Sequence, residues 1–335
     1  MKHLSILALE DATMNCIDSC YQMLNRVNDF LKYQGREPYY KVEIVGEKNS
    51  AQINKGLYSI NVNTTLDEVQ KTDVIFVPII CGDFSVTAQL NASYRKWIIE
   101  KYDKGAEIVS LCVGSFLVAS TGLLDNKRCS IHWAARNEFQ SAYPKINVID
   151  ESIITDENRI YTCGGGYSFL NLILYVIEKH LGREMSVLAS KMFQIDIDRK
   201  TQNPFVIFMG QKRHEDAGIL KAQELIEKHS NDSITIDMLC EQVGMSRRTF
   251  ERKFRKCTGN SVSEYIQRVK VERAKKELET TKKTINEIVF STGYNDIDAF
   301  RKVFKKFTDL SPLEYRKRYA AGDTKEPTSQ GYNFR

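Results

Sequence analysis

Apolar positions follow two regimes along the chain. Over the first two-thirds, short apolar runs alternate with longer amphipathic stretches. Residues 4–9 predict a strand, 14–31 a helix and 42–45 another strand. Residues 74–80 read VIFVPII, a continuous apolar run of the kind a parallel strand needs when both its faces are covered. A helix is expected over 86–102. A strand at 107–111 then runs directly into Cys112-Val113-Gly114-Ser115-Phe116. After Gly164-Gly165-Gly166 comes an apolar helix over 168–180. Alternating strands and helices predict a doubly wound α/β sheet.

The last third has helical spacing only, and it is written twice. Thr235, Ile236 and Gly244 match Thr284, Ile285 and Gly293, 49 residues on. At an offset of 50, Phe250, Phe254, Thr258, Ser261, Glu264 and Tyr265 match Phe300, Phe304, Thr308, Ser311, Glu314 and Tyr315. A supersecondary unit built twice is the physical reading. Ile236, Leu239, Cys240 and Val243 share one helical face, as do Phe300, Val303, Phe304 and Phe307. Thr235 suits an N-cap and Gly244 a helix stop. Thr284 with Glu287 makes a capping-box pattern. Ser246 is placed to cap the following helix. A long helix over 263–279 joins the copies, and Ser311-Pro312 opens a last short one. Helix, tight glycine turn, helix is helix-turn-helix geometry, so an all-α domain with two such units is expected.

Composition sharpens this division. A chain of 335 residues, 42% hydrophobic and 27% charged, is ordinary for two globular domains and excludes a disordered or fibrous class. The net charge of +5 is unevenly placed. Residues 218–320 hold 22 Lys+Arg against 15 Asp+Glu, and the remainder 26 against 28. The positive excess therefore coincides with the repeat, as expected of a nucleic-acid reader beside a near-neutral partner domain. No apolar run approaches the roughly 18 residues of a membrane span, and residues 4–9 are too few for a signal-peptide core. A cytoplasmic protein without a membrane partner is expected. Eight cysteines form no C-x-x-C pair, and the five histidines do not cluster with them. Neither a metal site nor a disulfide framework is predicted, and no cofactor is expected.

The first repeat exposes Arg247, Arg248, Glu251, Arg252, Arg255 and Lys256 on its second helix. The second exposes Arg301, Lys302, Lys305 and Lys306. The run Gly293-Tyr294-Asn295-Asp296, then Phe300, Phe304-Lys305-Lys306-Phe307, Ser311-Pro312 and Tyr315-Arg316, resembles the signature of the AraC/XylS-type DNA-binding domain of bacterial regulators. The resemblance covers about residues 218–319. It implies double-stranded DNA as partner, with groove-facing positions at Arg248, Glu251 and Arg252, then Ile297, Asp298 and Lys302. Arginine can bind guanine bidentately and a carboxylate can accept from cytosine. Arg255, Lys256, Lys305, Lys306 and Arg316 are expected at phosphates, which position without specifying.

Cys112 carries the candidate chemistry of the α/β part. A strand entering a helix through Cys-x-Gly holds its cysteine at the carboxyl edge of the sheet, where α/β ligand sites form. The helix start is expected to lower the thiol pKa, and the Val113 N–H to face an oxyanion. His132-Trp133 returns twenty residues later as base or ligand, and Cys81-Gly82 offers a second N–H. The stretch SLCVGSFLVASTGLLDNKRCSIHW resembles the PfpI-like branch of the class I glutamine amidotransferase superfamily, through Cys112, Gly114, Phe116, Gly122-Leu123-Leu124, His132 and Trp133. The pattern is that of GlxA-type regulators, which join such a domain to an AraC-type reader. The resemblance implies a flavodoxin-like fold over 1–190 and the DNA-binding domain over 218–320; polar composition predicts a linker over 191–217 and a flexible tail over 321–335. PfpI-type enzymes carry a glutamate after the first strand. Here the equivalent stretch, Thr13 to Asn15, has no carboxylate. Cys112, His132, Trp133, Gly82, Val113 and Asn15 are therefore expected to line an effector pocket rather than a catalytic centre. A transcription regulator with an unknown small-molecule effector is the leading reading, acting as a homodimer, with RNA polymerase as a further candidate partner. The alternatives are an active cysteine hydrolase, amidase or hydratase fused to a DNA reader, and a thiol redox sensor at Cys112.

Overall fold

Strands buried on both faces can pair only inside a sheet, and the apolar runs of the first two-thirds do so. The computed structural model describes residues 1–149, 152–212, 214–229 and 234–320. Its first unit spans Met1–Gln202, and a second begins at Asn203. In chain order the first unit contains β1 (Lys2–Leu7), α1 (Met14–Tyr33), β2 (Tyr40–Gly46), β3 (Ser50–Ile53), β4 (Tyr58–Asn61), β5 (Thr64–Thr65) and β6 (Val74–Val77). There follow α2 (Phe84–Leu90), α3 (Ser93–Asp103), β7 (Glu107–Ser110), α4 (Ser115–Ala119), β8 (Arg128–Cys129), α5 (Arg136–Ala142) and β9 (Asn147–Val148). β10 (Ile154–Glu157), β11 (Ile160–Cys163), α6 (Phe169–Leu181) and α7 (Arg183–Phe193) complete it. Among the described residues the main sheet runs β10-β11-β7-β6-β1-β2-β5. It is parallel except for β10, which pairs antiparallel with β11, so the sheet is mixed. Leu4 faces Val74 and Val77 faces Ser110 in register. Ile6, Val74, Ile75, Phe76, Val77 and Ile108 are fully buried.

Two expected elements differ. The strand predicted over 74–80 ends at Val77, because Pro78 has no N–H to continue the ladder. The helix predicted over 86–102 is two helices, α2 and α3. Asn91, buried at the break, donates to the carbonyls of Glu10 and Thr87 and accepts from the Glu10 N–H. That side chain ties the segment to the loop after β1 instead of continuing a helical face.

The residues expected as a linker, 191–217, are parted between the units. α7 runs to Phe193, the Asp196 carbonyl accepts from Asn171, and the Lys200 carbonyl accepts from the Ile153 N–H. Gln202 is buried. These contacts place 191–202 with the α/β unit. The expected tail, 321–335, lies outside the described residues.

The second unit contains α8 (Ala217–Lys228), α9 (Ile236–Val243), α10 (Arg247–Thr258), α11 (Val262–Thr280), α12 (Ile285–Ser291), α13 (Ile297–Thr308) and α14 (Pro312–Tyr319). The repeat builds two cores. Ile219, Ala222, Ile226, Leu239, Cys240, Phe250, Phe254, Val262 and Tyr265 form one. Val271, Ala274, Leu278, Ile288, Val289, Phe300, Phe304 and Tyr315 form the other. α8 therefore serves the first core as the second half of α11 serves the second. Hydrogen bonds repeat as well. Thr258 and Thr308 donate to the carbonyls of Phe254 and Phe304, Ser261 and Ser311 cap their helices, and Tyr265 and Tyr315 donate to Glu227 and Glu279.

Candidate functional site

The basic faces are fixed by the cores behind them. Thr235 caps α9 by accepting from the Met238 N–H, and Gly244, at φ 64°, ends it. With Phe250 and Phe254 buried, helical spacing turns Arg247, Arg248, Glu251, Arg252, Arg255 and Lys256 outward, and all six are exposed. Five of them, Arg247, Arg248, Glu251, Arg252 and Arg255, lie along one face of α10. Arg247 is engaged within the protein, by Glu251 at 3.1 Å and Asp237 at 3.4 Å. Arg248, Arg252 and Arg255 have no such partner among the described residues. Ser246 does not cap α10 as expected: its hydroxyl meets the Thr249 hydroxyl at 3.1 Å.

In the second copy Asp296 caps α13, accepting from Asp298 and Ala299. Arg301, Lys302, Lys305 and Lys306 are exposed, and Arg301 pairs with Asp298 at 3.2 Å. Ile297 is half-buried against the second core, because an apolar side chain beside that core gains by covering it. Arg316 is also half-buried and donates to the Lys283 carbonyl at 2.6 Å.

The α/β edge is built by β7. Its chain turns sharply after Leu111, and Cys112 takes φ 53°, a left-handed conformation that costs a non-glycine residue strain. Three residues later α4 begins. The Cys112 N–H meets the Cys163 sulfur at 3.4 Å. Burial pushes the Cys112 thiol up to about 12, and backbone hydrogen bonds from Val113, Gly166 and His132 offset that only in part. The expected lowering by the helix start is thus overturned by desolvation.

The His132 ring is engaged within its own loop. Nδ1 accepts from the Ala134 N–H at 3.0 Å, which leaves Nε2 to carry the proton of the neutral ring. Burial lowers the imidazole pKa. The ring leans on Trp133, with centroids 5.2 Å apart. Cys81 N–H donates to the Asp11 carbonyl at 2.8 Å, so Gly82, exposed at φ 82°, is what remains of the expected second donor. Asn15 is exposed on the first turn of α1. Cys16 beside it is buried and accepts from the Ile79 N–H. Among the described residues no carboxylate bonds Cys112, and no group of three or more ligating side chains could hold a metal.

Sequence reasoning missed Gln202. Its carboxamide bonds Ile131, Trp133 and Gly165, which are 71, 69 and 37 residues away. No local pattern marks a glutamine in a polar stretch as such a hub.

A model of the DJ-1/PfpI family matches residues 29–179, and a helix-turn-helix domain model matches residues 239–318. The HTH-type transcriptional regulator GbdR of Pseudomonas aeruginosa is 25% identical over 317 residues, covering 93% of this chain and 83% of that protein. The HTH-type transcriptional regulator GlxA of Rhizobium meliloti is 24% identical over 289 residues, covering 85% and 87%. The crystal structure of a candidate transcriptional regulator protein from Vibrio parahaemolyticus matches 57% of this chain and 98% of its own, at 21% identity and a TM-score of 0.51, and supports the fold of the first unit. Among the described residues no helix is long and apolar enough to cross a membrane.

Proposed function

We propose that this chain, which joins a DJ-1/PfpI-type α/β domain to an AraC-type helix-turn-helix domain, is a cytoplasmic DNA-binding transcription regulator controlled by a small molecule. The observation that carries the reading is the duplication. Two helix-turn-helix units, alike down to their capping and tyrosine hydrogen bonds, each present an exposed basic helix. Two such helices on one shared helix, α11, suit adjacent major grooves on one side of a duplex, roughly 34 Å apart. Arg248 and Arg252 serve as base-reading residues. In the second copy Lys302 faces the groove, and Lys305 and Lys306 serve mainly as phosphate contacts.

The α/β edge then acts as the effector site, with Cys112, Val113, His132, Trp133 and Gly82 around it. A thiol at about 12 is protonated at neutral pH, which favours a binding role over nucleophilic turnover. Repeated half-sites would be met by a homodimer, with RNA polymerase as a downstream partner.

Footprinting of DNA upstream of the chain's own and neighbouring genes tests the reading. Two protected patches about one helical turn apart are expected, lost in Arg252→Ala. No protection on any such fragment would overturn it. Light scattering at micromolar concentration should give twice the chain mass.

A further inference from the structure

In the α/β unit, one side chain is held as a ligand would be. Gln202 is 5% exposed. Its Oε1 accepts from the Gly165 N–H at 2.8 Å and the Trp133 N–H at 3.3 Å, and its Nε2 donates to the Ile131 carbonyl at 2.9 Å. These three backbone groups belong to the two loops that border Cys112. His132 lies on one and Gly166 on the other, and the backbones of both act on the Cys112 thiol, each favouring its charged form. The recess is shaped around its occupant. A Cβ on Gly164 would collide with the Gln202 carboxamide, and one on Gly165 with the His132 ring.

Two converging donors and one acceptor select a chemistry. A carboxylate would set an oxygen against the Ile131 carbonyl. An ammonium would face two N–H groups. An alkyl group would leave all three backbone groups unpaired. A primary carboxamide satisfies every one.

The position of Gln202 in the chain gives the contact a consequence. It is the last residue of the α/β unit, and the next residues are fastened inside the helical one. Asn203 donates to Asp309 at the end of α13, the Pro204 carbonyl accepts from Tyr319, and the Val206 carbonyl accepts from Lys275.

We propose that the Ile131–Trp133–Gly165 cradle is a carboxamide-binding site, that Gln202 is its tethered occupant, and that a free primary carboxamide displaces it and changes DNA affinity. This rests on the regulatory reading above.

Full-length Gln202→Ala vacates the cradle. Propionamide should then raise its melting temperature saturably, propionate should not, and the wild-type protein should respond less. On the footprinted fragment, Gln202→Ala should change DNA affinity about fivefold or more, the scale of ordinary coupling between sites, and saturating propionamide should shift the wild type in the same direction. Gly164→Ala expels the same side chain by collision and should change DNA affinity in the same direction. Gln202→Met keeps the length without the polar atoms and should behave likewise, guarding against a fold lost in one variant. Equal responses to propionamide and propionate, or none, would overturn the cradle. Unchanged DNA affinity in all three variants, with the wild type still bound, would overturn the coupling and leave the regulator standing. A wild type that binds no fragment would instead sink the regulator, while the thermal readout would still decide the cradle.

Discussion

Cys112 shows how little a local motif says about a side chain's chemistry. An ordinary thiol titrates near 9.0, and this one is pushed up to about 12. Its thiolate is therefore far scarcer at neutral pH than that of an exposed cysteine. Iodoacetamide at pH 7.5 should label half-buried Cys81 and Cys257 first, with Cys112 unmodified in the folded protein by peptide mass mapping. Rapid labelling of Cys112 would restore the nucleophile and redox readings. Glu107, at the start of β7, shows the opposite balance. Burial alone would raise its pKa, but hydrogen bonds from His180, Lys2 and Tyr161 hold the carboxyl at about 2, against an ordinary 4.5. The folded value lies below the unfolded one, so this stabilisation is fully present above about pH 4.5 and lost as pH falls towards 2. At 1.36 kcal/mol per unit it amounts to about 3 kcal/mol. Denaturant melts of Glu107→Gln should lose this part of the acid dependence between those pH values.

At the scale of elements, matched positions in the two helix-turn-helix copies should behave alike wherever their contacts match. Tyr265 and Tyr315 each donate to a glutamate, at 2.8 and 2.7 Å. Removing either hydroxyl should cost roughly 1.5–3 kcal/mol, the range for hydrogen bonds to charged groups. Tyr265→Phe should cost more than Tyr315→Phe, because Gln223 Nε2 also donates to Tyr265 Oη. Chemical denaturation of the two variants checks the order. The repeat was legible because buried phenylalanines at 3.6-residue spacing and paired caps are local features. Its extension to α8 was not, because Ile219, Ala222 and Ile226 match Val271, Ala274 and Leu278 only once both cores are seen to be closed by them. The broken helix at Asn91 was equally hidden, since its cause is a hydrogen bond to Glu10, 81 residues away.

At the scale of the whole molecule, charge placement predicts how binding should respond to salt. Lys305 and Lys306 are exposed on α13 and suit phosphates, so Lys305→Ala should weaken specific and non-specific DNA alike and reduce the salt slope by about one. Arg252→Ala on α10 should instead erode the ratio between cognate and scrambled fragments, by roughly 1–3 kcal/mol for one bidentate base contact. Titrations at several salt concentrations separate the two effects. By itself, the order of residues determined the α/β class, the duplicated reader, the basic surplus over 218–320 and the turn at Cys112, because periodicity, capping and charge act over a few residues. Only the tertiary structure decided that Ile297 and Arg316 are half-buried, that burial pushes the Cys112 thiol up, and that Gln202 holds Ile131, Trp133 and Gly165 together. Those outcomes depend on desolvation and on hydrogen bonds between residues far apart in the chain, and these exist only once the chain has folded.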